Sequence, residues 1–161
     1  MVRIPQYLPP EWSAQQAVML TWPHPESDWL PILDEVEPVF VAIGRAVSER
    51  EELIVSCLNE AHCDHVSALL ESGGALMENV HLYPAPSNDS WVRDHGPVCV
   101  MRDGQRLLLD YQFNGWGNKY EAALDNRISI RLHEMGAFHD LPLETQTLIL
   151  EGGSIEVDSR G

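Results

Sequence analysis

Positive charge is what this sequence has least of. Ten Lys and Arg stand against 25 Asp and Glu, a formal net charge of −15 with a pI near 4.6. That balance disfavours a phosphate-binding surface and with it nucleic acid. Cysteine is also sparse. Cys57, Cys63 and Cys99 are an odd number without a Cys-x-x-Cys pair, so no disulfide framework is implied and reduced thiols are expected. No apolar run approaches a membrane span, and Met1-Val2-Arg3-Ile4-Pro5 lacks the apolar stretch of a secretory signal, so a soluble, cytoplasmic setting without membrane contact is expected. Low-complexity tracts and linkers are missing too. What remains is 161 residues, 44% hydrophobic, enough for a single domain over 1–161 with a real core. The acidic excess would suit a small cationic ligand, although net charge serves solubility first.

Periodicity predicts alternating strands and helices. Ala17 to Trp22 reads as a short buried strand stopped by Pro23 and Pro25. Leu30 to Arg50 repeats apolar residues at helical spacing, with Pro38 forcing a kink or a late start. Glu52–Leu58 and Asn79–Tyr83 read as strands, with a helix from His62 to Ser72 between them closed by Gly73-Gly74. Pro97 to Met101 and Arg106 to Tyr111 flank Asp103-Gly104, a hairpin signal. Further on come a glycine-punctuated aromatic loop at 114–120 and a helix from Glu121 to Met135. Strands are expected at Phe138–Leu141 and Thr147–Leu150, with an exposed one from Ser154 to Asp158. Pro5, Pro9 and Pro10 hold the start extended. The class is α/β (α+β).

Chemistry concentrates in Ser87-Asn88-Asp89-Ser90-Trp91-Val92-Arg93-Asp94-His95-Gly96-Pro97, between a Pro-rich loop and a strand. Loops ending on rigid elements are where scaffolds present reactive groups. Asp94 at the strand mouth could accept two parallel hydrogen bonds from a guanidinium, with the Trp91 face over the cation. Equally, Asp94 and Arg93 could simply pin the loop. A second cluster, Leu148-Ile149-Leu150-Glu151-Gly152-Gly153, sends a carboxylate from an aliphatic run into a turn where glycines permit close approach. Trp116 and Tyr120 could wall a pocket or cap a core. His62-Cys63-Asp64-His65 packs several metal-ligand types, yet no second cluster has zinc spacing, and a solvated helix start is the simpler reading. No metal is expected there. His95 beside Gly-Pro reads as a surface histidine.

Taken together, Asn88 to Pro97, Phe113-Asn114-Gly115-Trp116-Gly117-Asn118-Lys119-Tyr120 and Glu151-Gly152-Gly153-Ser154-Ile155 resemble the agmatine deiminase and bacterial-type peptidylarginine deiminase family. Glu11-Trp12 and Thr21-Trp22-Pro23 look like that family's opening. The resemblance implies a five-bladed α/β propeller of ββαβ-type units, of which this chain would be roughly the first two to three blades. It implies hydrolysis of a guanidinium to a ureido group and ammonia, through a cysteine thiouronium intermediate and without a cofactor. By position, Asp94 is the first guanidinium-binding carboxylate and Glu151 the second carboxylate beside it, structural or substrate-binding. Trp91 and Trp116 line the substrate, and Asp89 faces its distal end.

The family's His-x-Asp pair and nucleophilic cysteine lie further downstream than this chain reaches. Cys57, Cys63 and Cys99 match no nucleophile position, and burial should quieten Cys99. The 161-residue chain is therefore expected to be the N-terminal portion of a longer enzyme, inactive alone, binding a guanidine or an arginine side chain. Open blade edges would favour a homo-oligomer. Two rival readings are a non-catalytic module that binds a cation or partner through the same carboxylates, and a metal-dependent hydrolase built on Asp94, His95 and Glu151.

Overall fold

A computed structural model describes residues 6–158; Pro5 and the chain end at Gly161 lie outside the described residues. Two sheets organise the chain. β2 (Ala17–Thr21), β3 (Glu52–Cys57) and β4 (Val80–Pro84) form a parallel sheet in the order β2-β3-β4. Their crossovers carry the helices α1 (Leu33–Ser48) and α2 (Glu60–Ser72), as parallel pairing requires. The second sheet has the order β1-β5-β6-β7, from β1 (Gln6–Tyr7), β5 (Val98–Arg102), β6 (Gln105–Gln112) and β7 (Leu143–Ile149). Its pairings are antiparallel except β6 with β7. Asp103 and Gly104 turn the β5–β6 hairpin with φ of 52° and 77°, the mirror-image turn that matches strand twist. The mixed α/β class is as expected. Among the described residues the strands form two open sheets and no closed barrel, and no helix is long and apolar enough to cross a membrane.

Alternation along β3 joins the two cores. Leu53, Val55 and Cys57 face α1 and α2, packing with Trp22, Cys63, Val66 and Leu70. Ile54 points the other way, into a cluster with Leu108 of β6, Phe138, and Ile128 and Leu132 of α5 (Ile128–Glu134). Successive strand residues face opposite sides, so one buried strand serves both. At the head of α2 the Asn59 side chain accepts from the His62 N–H at 2.9 Å, a standard N-cap.

Several expectations need correction. The helix foreseen over Glu121–Met135 is reduced to α5 after a 3-10 turn at Asp125–Arg127. Its first residues are claimed from elsewhere: Leu124 N–H donates to Asn88 Oδ1 at 2.8 Å, and Asn126 Oδ1 accepts from Phe113 N–H at 2.7 Å. Phe138 to Leu141 is a turn, with Leu141 N–H bonded to the Phe138 carbonyl and His139 at φ 53°. Ser154–Asp158 is no strand. Ser154 donates to the Glu151 carbonyl from both its N–H and its hydroxyl, which closes a 3-10 turn over Gly152–Ser154. β7 starts at Leu143, four residues before the expected strand. α1 does show the late start expected of it, after a 3-10 turn at Leu30–Ile32, with Pro38 kept inside the helix.

Candidate functional site

Two side chains dock the central loop from behind. Asp125, buried, accepts the backbone N–H groups of Asn88 at 2.6 Å and Asp89 at 3.2 Å. Burial lifts its carboxyl pKa to about 6, against the pull of those two amides. Asn88 returns a bond through Leu124, so residues 88–89 and 124–125 grip each other from both sides. Upstream, Ser87 Oγ meets His24 Nε2 at 3.1 Å. The loop then closes into α3 (Val92–His95), a single turn.

His95 is not on the surface. It is 3% exposed, with Nε2 at 3.3 Å from Thr21 Oγ1, which also accepts from the Ser56 hydroxyl at 3.0 Å. Ser129 Oγ donates to its carbonyl at 3.3 Å. Burial pushes its pKa down to about 4, so the ring is neutral at physiological pH. Nδ1 has no hydrogen-bond partner among the described residues. An imidazole turned inward onto β2 anchors α3, and it does not join Asp94 and Glu151 in a metal site.

Anchored this way, α3 lays its Asp94 side against the turn that follows Glu151. Gly153 N–H donates to Asp94 Oδ1 at 2.9 Å. A Cβ at Gly153 would fall 2.6 Å from that oxygen, and one at Gly152 would fall 2.1 Å from the Arg93 carbonyl oxygen. Only glycine permits this approach. Asp94 and the Gly-Gly turn, 59 residues apart, thus form one small structure, with half-buried Glu151 at its entry. Among the described residues neither carboxylate is in an ion pair. Arg93 does form one, but with Glu11 at 2.8 Å and largely in solvent.

Aromatic side chains gather around Trp116. Trp116 meets Phe113, Trp91 and Tyr120 edge-to-face, with ring centroids 5.2, 5.6 and 5.7 Å apart. Trp116 sits at φ 57° in the turn α4 (Gly115–Asn118), where Gly117 N–H is capped by Asn114 Oδ1 at 2.9 Å. Trp91 and Tyr120 remain about half exposed, while Phe113 beneath them is buried. Asp89 lies at its base, accepting the indole N–H of Trp29 at 2.9 Å on Oδ1 and that of Trp91 at 2.8 Å on Oδ2.

The His62–His65 stretch is no solvated helix start: His62 and Cys63 are buried. Leu58 N–H donates to His62 Nδ1, the His62 ring stacks on His65 at 6.0 Å, and His65 Nε2 reaches Glu37 Oε1 at 2.8 Å. Among the described residues no three His, Cys, Asp or Glu side chains are grouped to hold a metal. Burial raises the thiol pKa values of Cys57, Cys63 and Cys99. An apolar cavity of about 780 Å³ lies between the sheets, lined by Met19, Ile54, Leu108 and Phe138 and reaching Arg93 of α3 and Gly152 of the Gly-Gly turn. Its acidic group, Glu11, is already paired with Arg93, so it offers a cation little.

Sequence reasoning singled out Asp89, Trp91, Asp94, Trp116 and Glu151, quoted Asn88 and Thr21 only as members of motifs, and did not point to Asp125 or Ser129. Asp125 left no trace, because its partners are backbone amides 36 and 37 residues away.

The sequence profile of Porphyromonas-type peptidyl-arginine deiminase matches residues 7–161. An agmatine deiminase of Pseudomonas syringae pv. tomato is 31% identical over 162 residues, covering 96% of this chain and 42% of its own length. Among solved structures, a C. jejuni agmatine deiminase variant with substrate bound superposes with a TM-score of 0.86 at 30% identity, over 100% of this chain and 45% of that one. An agmatine deiminase of Enterococcus faecalis, at 23% identity and TM-score 0.74, matches in fold over 96% of this chain and 41% of its own. The chain therefore spans under half the length of these relatives.

Proposed function

The chain belongs to the Porphyromonas-type peptidyl-arginine deiminase family, and from that premise we propose that it carries the cation-holding part of a guanidine deiminase. The substrate is agmatine or an arginine side chain, and the products are the ureido compound and ammonia. Asp94 accepts the planar guanidinium through paired N–H···O bonds, the geometry in which a carboxylate binds that group best. Glu151 supplies a second carboxylate from across the Gly-Gly turn, and Trp91 and Trp116 border the cation. In the reaction a cysteine thiolate adds to the guanidinium carbon and one amino group leaves as ammonia with a proton. Water then displaces sulfur and leaves its oxygen on the carbon. The thiolate is not Cys57, Cys63 or Cys99, whose burial keeps them protonated. It belongs to a longer protein, a five-bladed propeller of which these sheets are the opening blades. Carrying this reading is one observation: Asp94 is held by a backbone amide and, among the described residues, by no arginine, which leaves acceptor sites for a cation.

Calorimetric titration of agmatine and of an N-acylated arginine amide into this chain tests the proposal. At least one should bind, and Asp94→Asn should weaken it by roughly 30-fold or more, the loss of a charge-assisted pair. Equal affinity for the variant would remove Asp94 from the site. The chain alone should release no ammonia. The quiet state of all three thiols favours one second reading, a non-catalytic module that binds a cation through the same carboxylates; turnover by any longer form excludes it.

A further inference from the structure

Asp89 carries more donors than a carboxylate meant for a ligand can spare. Oδ1 accepts the Trp29 indole N–H at 2.9 Å and its own neighbour's backbone, Ser90 N–H, at 2.7 Å; the Ser90 hydroxyl adds a third contact at 3.3 Å. Oδ2 accepts the Trp91 indole N–H at 2.8 Å. The Trp29 N–H is shared with Ser90 Oγ at 2.8 Å, which stiffens the cluster. A carboxylate offers about four acceptor positions, so nearly all are filled from within the chain. From behind, Asp125 holds the Asp89 backbone N–H. The Trp91 ring, although 48% exposed, is fixed by this bond on one edge and by Trp116 on another.

We infer that Asp89 is a positioning residue: it binds no ligand directly, but fixes the Trp91 indole and enriches its π face, so that a guanidine ligand's far end meets a ring. The physical reason is polarisation. An anion accepting an indole N–H pushes electron density into the ring, which strengthens the negative face that attracts a cation or packs a methylene chain. The inference takes its ligand from the guanidine-site reading, but its hydrogen bonds stand without it. A free carboxylate at the same place would instead select ligands with a second positive charge.

Indole N–H signals of the 15N-labelled chain, assigned with Trp29→Phe and Trp91→Phe, separate the two. In the native chain the Trp91 N–H should exchange with water at least ten times more slowly than that of Trp12, which is 70% exposed. Exchange as fast as Trp12 overturns the inference, and this readout needs no variant to fold. In Asp89→Asn, one acceptor becomes a donor facing the Trp91 N–H, and that protection should fall about ten-fold. Agmatine, with an ammonium tail, and n-butylguanidine, without one, should then both lose affinity, agmatine no more than about five-fold further, because a weakened π face also holds its ammonium less well. Loss confined to agmatine overturns the inference, since it would mean direct pairing with the tail. Should neither ligand bind the native chain, the guanidine reading fails, while the exchange rates still decide for or against Asp89.

Discussion

In the loop from Ser87 to His95, carboxylates and indoles are tied by hydrogen bonds and one of them, Asp94, is left facing outward on a backbone amide. In the seam beneath α1 and α2, His24 and His62 are buried with ring centroids 6.1 Å apart, and one carboxylate, Glu37, is shared between His65 and the Trp22 indole. The seam has the richer assortment of reactive side-chain types. Yet desolvation lowers both imidazoles and raises both neighbouring thiols, so each group is held in its uncharged form. Reactive residue types indicate chemistry only where something keeps them charged and accessible. The loop does that with backbone amides and glycines; the seam excludes water and makes its groups part of the core.

Breaking the loop's geometry should have the largest effect. Gly152→Val places a branched side chain where a single Cβ already lies 2.1 Å from the Arg93 carbonyl oxygen. Denaturant unfolding should show a loss of about 2–4 kcal/mol, the range for an unavoidable backbone clash. An unchanged midpoint would mean that α3 and the Gly-Gly turn do not touch.

The buried histidines of both regions should show themselves in acid. His62 of the seam and His95 at the end of the loop titrate near 4 when folded, against an ordinary value of 6.5, and His24 is lowered as well. Between pH 6.5 and 4 the unfolded chain holds more protons on these rings, so their contribution is complete above 6.5 and declines as the pH falls. Asp125 works in the opposite sense: its folded value of about 6 exceeds the ordinary 3.8, so its contribution grows over the descent from 6 to 4. Three rings outweigh one carboxyl, and a net loss on the order of several kcal/mol is expected from unfolding curves across that window. His62→Leu should flatten the dependence.

Asp125→Asn sharpens the contrast from the loop side. Asparagine keeps an acceptor for the Asn88 and Asp89 amides and removes a buried charge. Stability at pH 7 should rise by about 1 kcal/mol, and the part of the pH slope that opposes the histidines should vanish. A loss instead would show that the charge itself holds the loop. Least affected should be Arg93→Ala. The Arg93–Glu11 pair is 61% and 68% exposed, so its removal should cost below about 1 kcal/mol in the same assay.

Much of the scaffold was legible because its signals are local. β2 and β3 carry the apolar runs Ala17-Val18-Met19-Leu20 and Leu53-Ile54-Val55, and β4 sets Val80, Leu82 and Tyr83 around His81. The Asp103-Gly104 turn carries its own conformational preference, and the apolar rows of α1 and α2 repeat at helical spacing. The stretch after Tyr120 was misread because three side-chain-to-backbone bonds from remote residues outcompete helix formation there. In the site, the loop residues stood out by type, and the partnership of Asp94 with the Gly-Gly turn was readable only through family likeness. His95 was misplaced outside because a Gly-Pro neighbour says nothing of Thr21, 74 residues earlier.

β3 has a consequence for how the molecule can fail. Leu53, Val55 and Cys57 belong to one apolar cluster and Ile54 to the other, on a strand hydrogen-bonded along both edges. A slip of one residue would export both sets at once. Neither half can melt while its neighbour stays intact, so heat or denaturant should dismantle the carboxylate loop and the histidine seam in a single step.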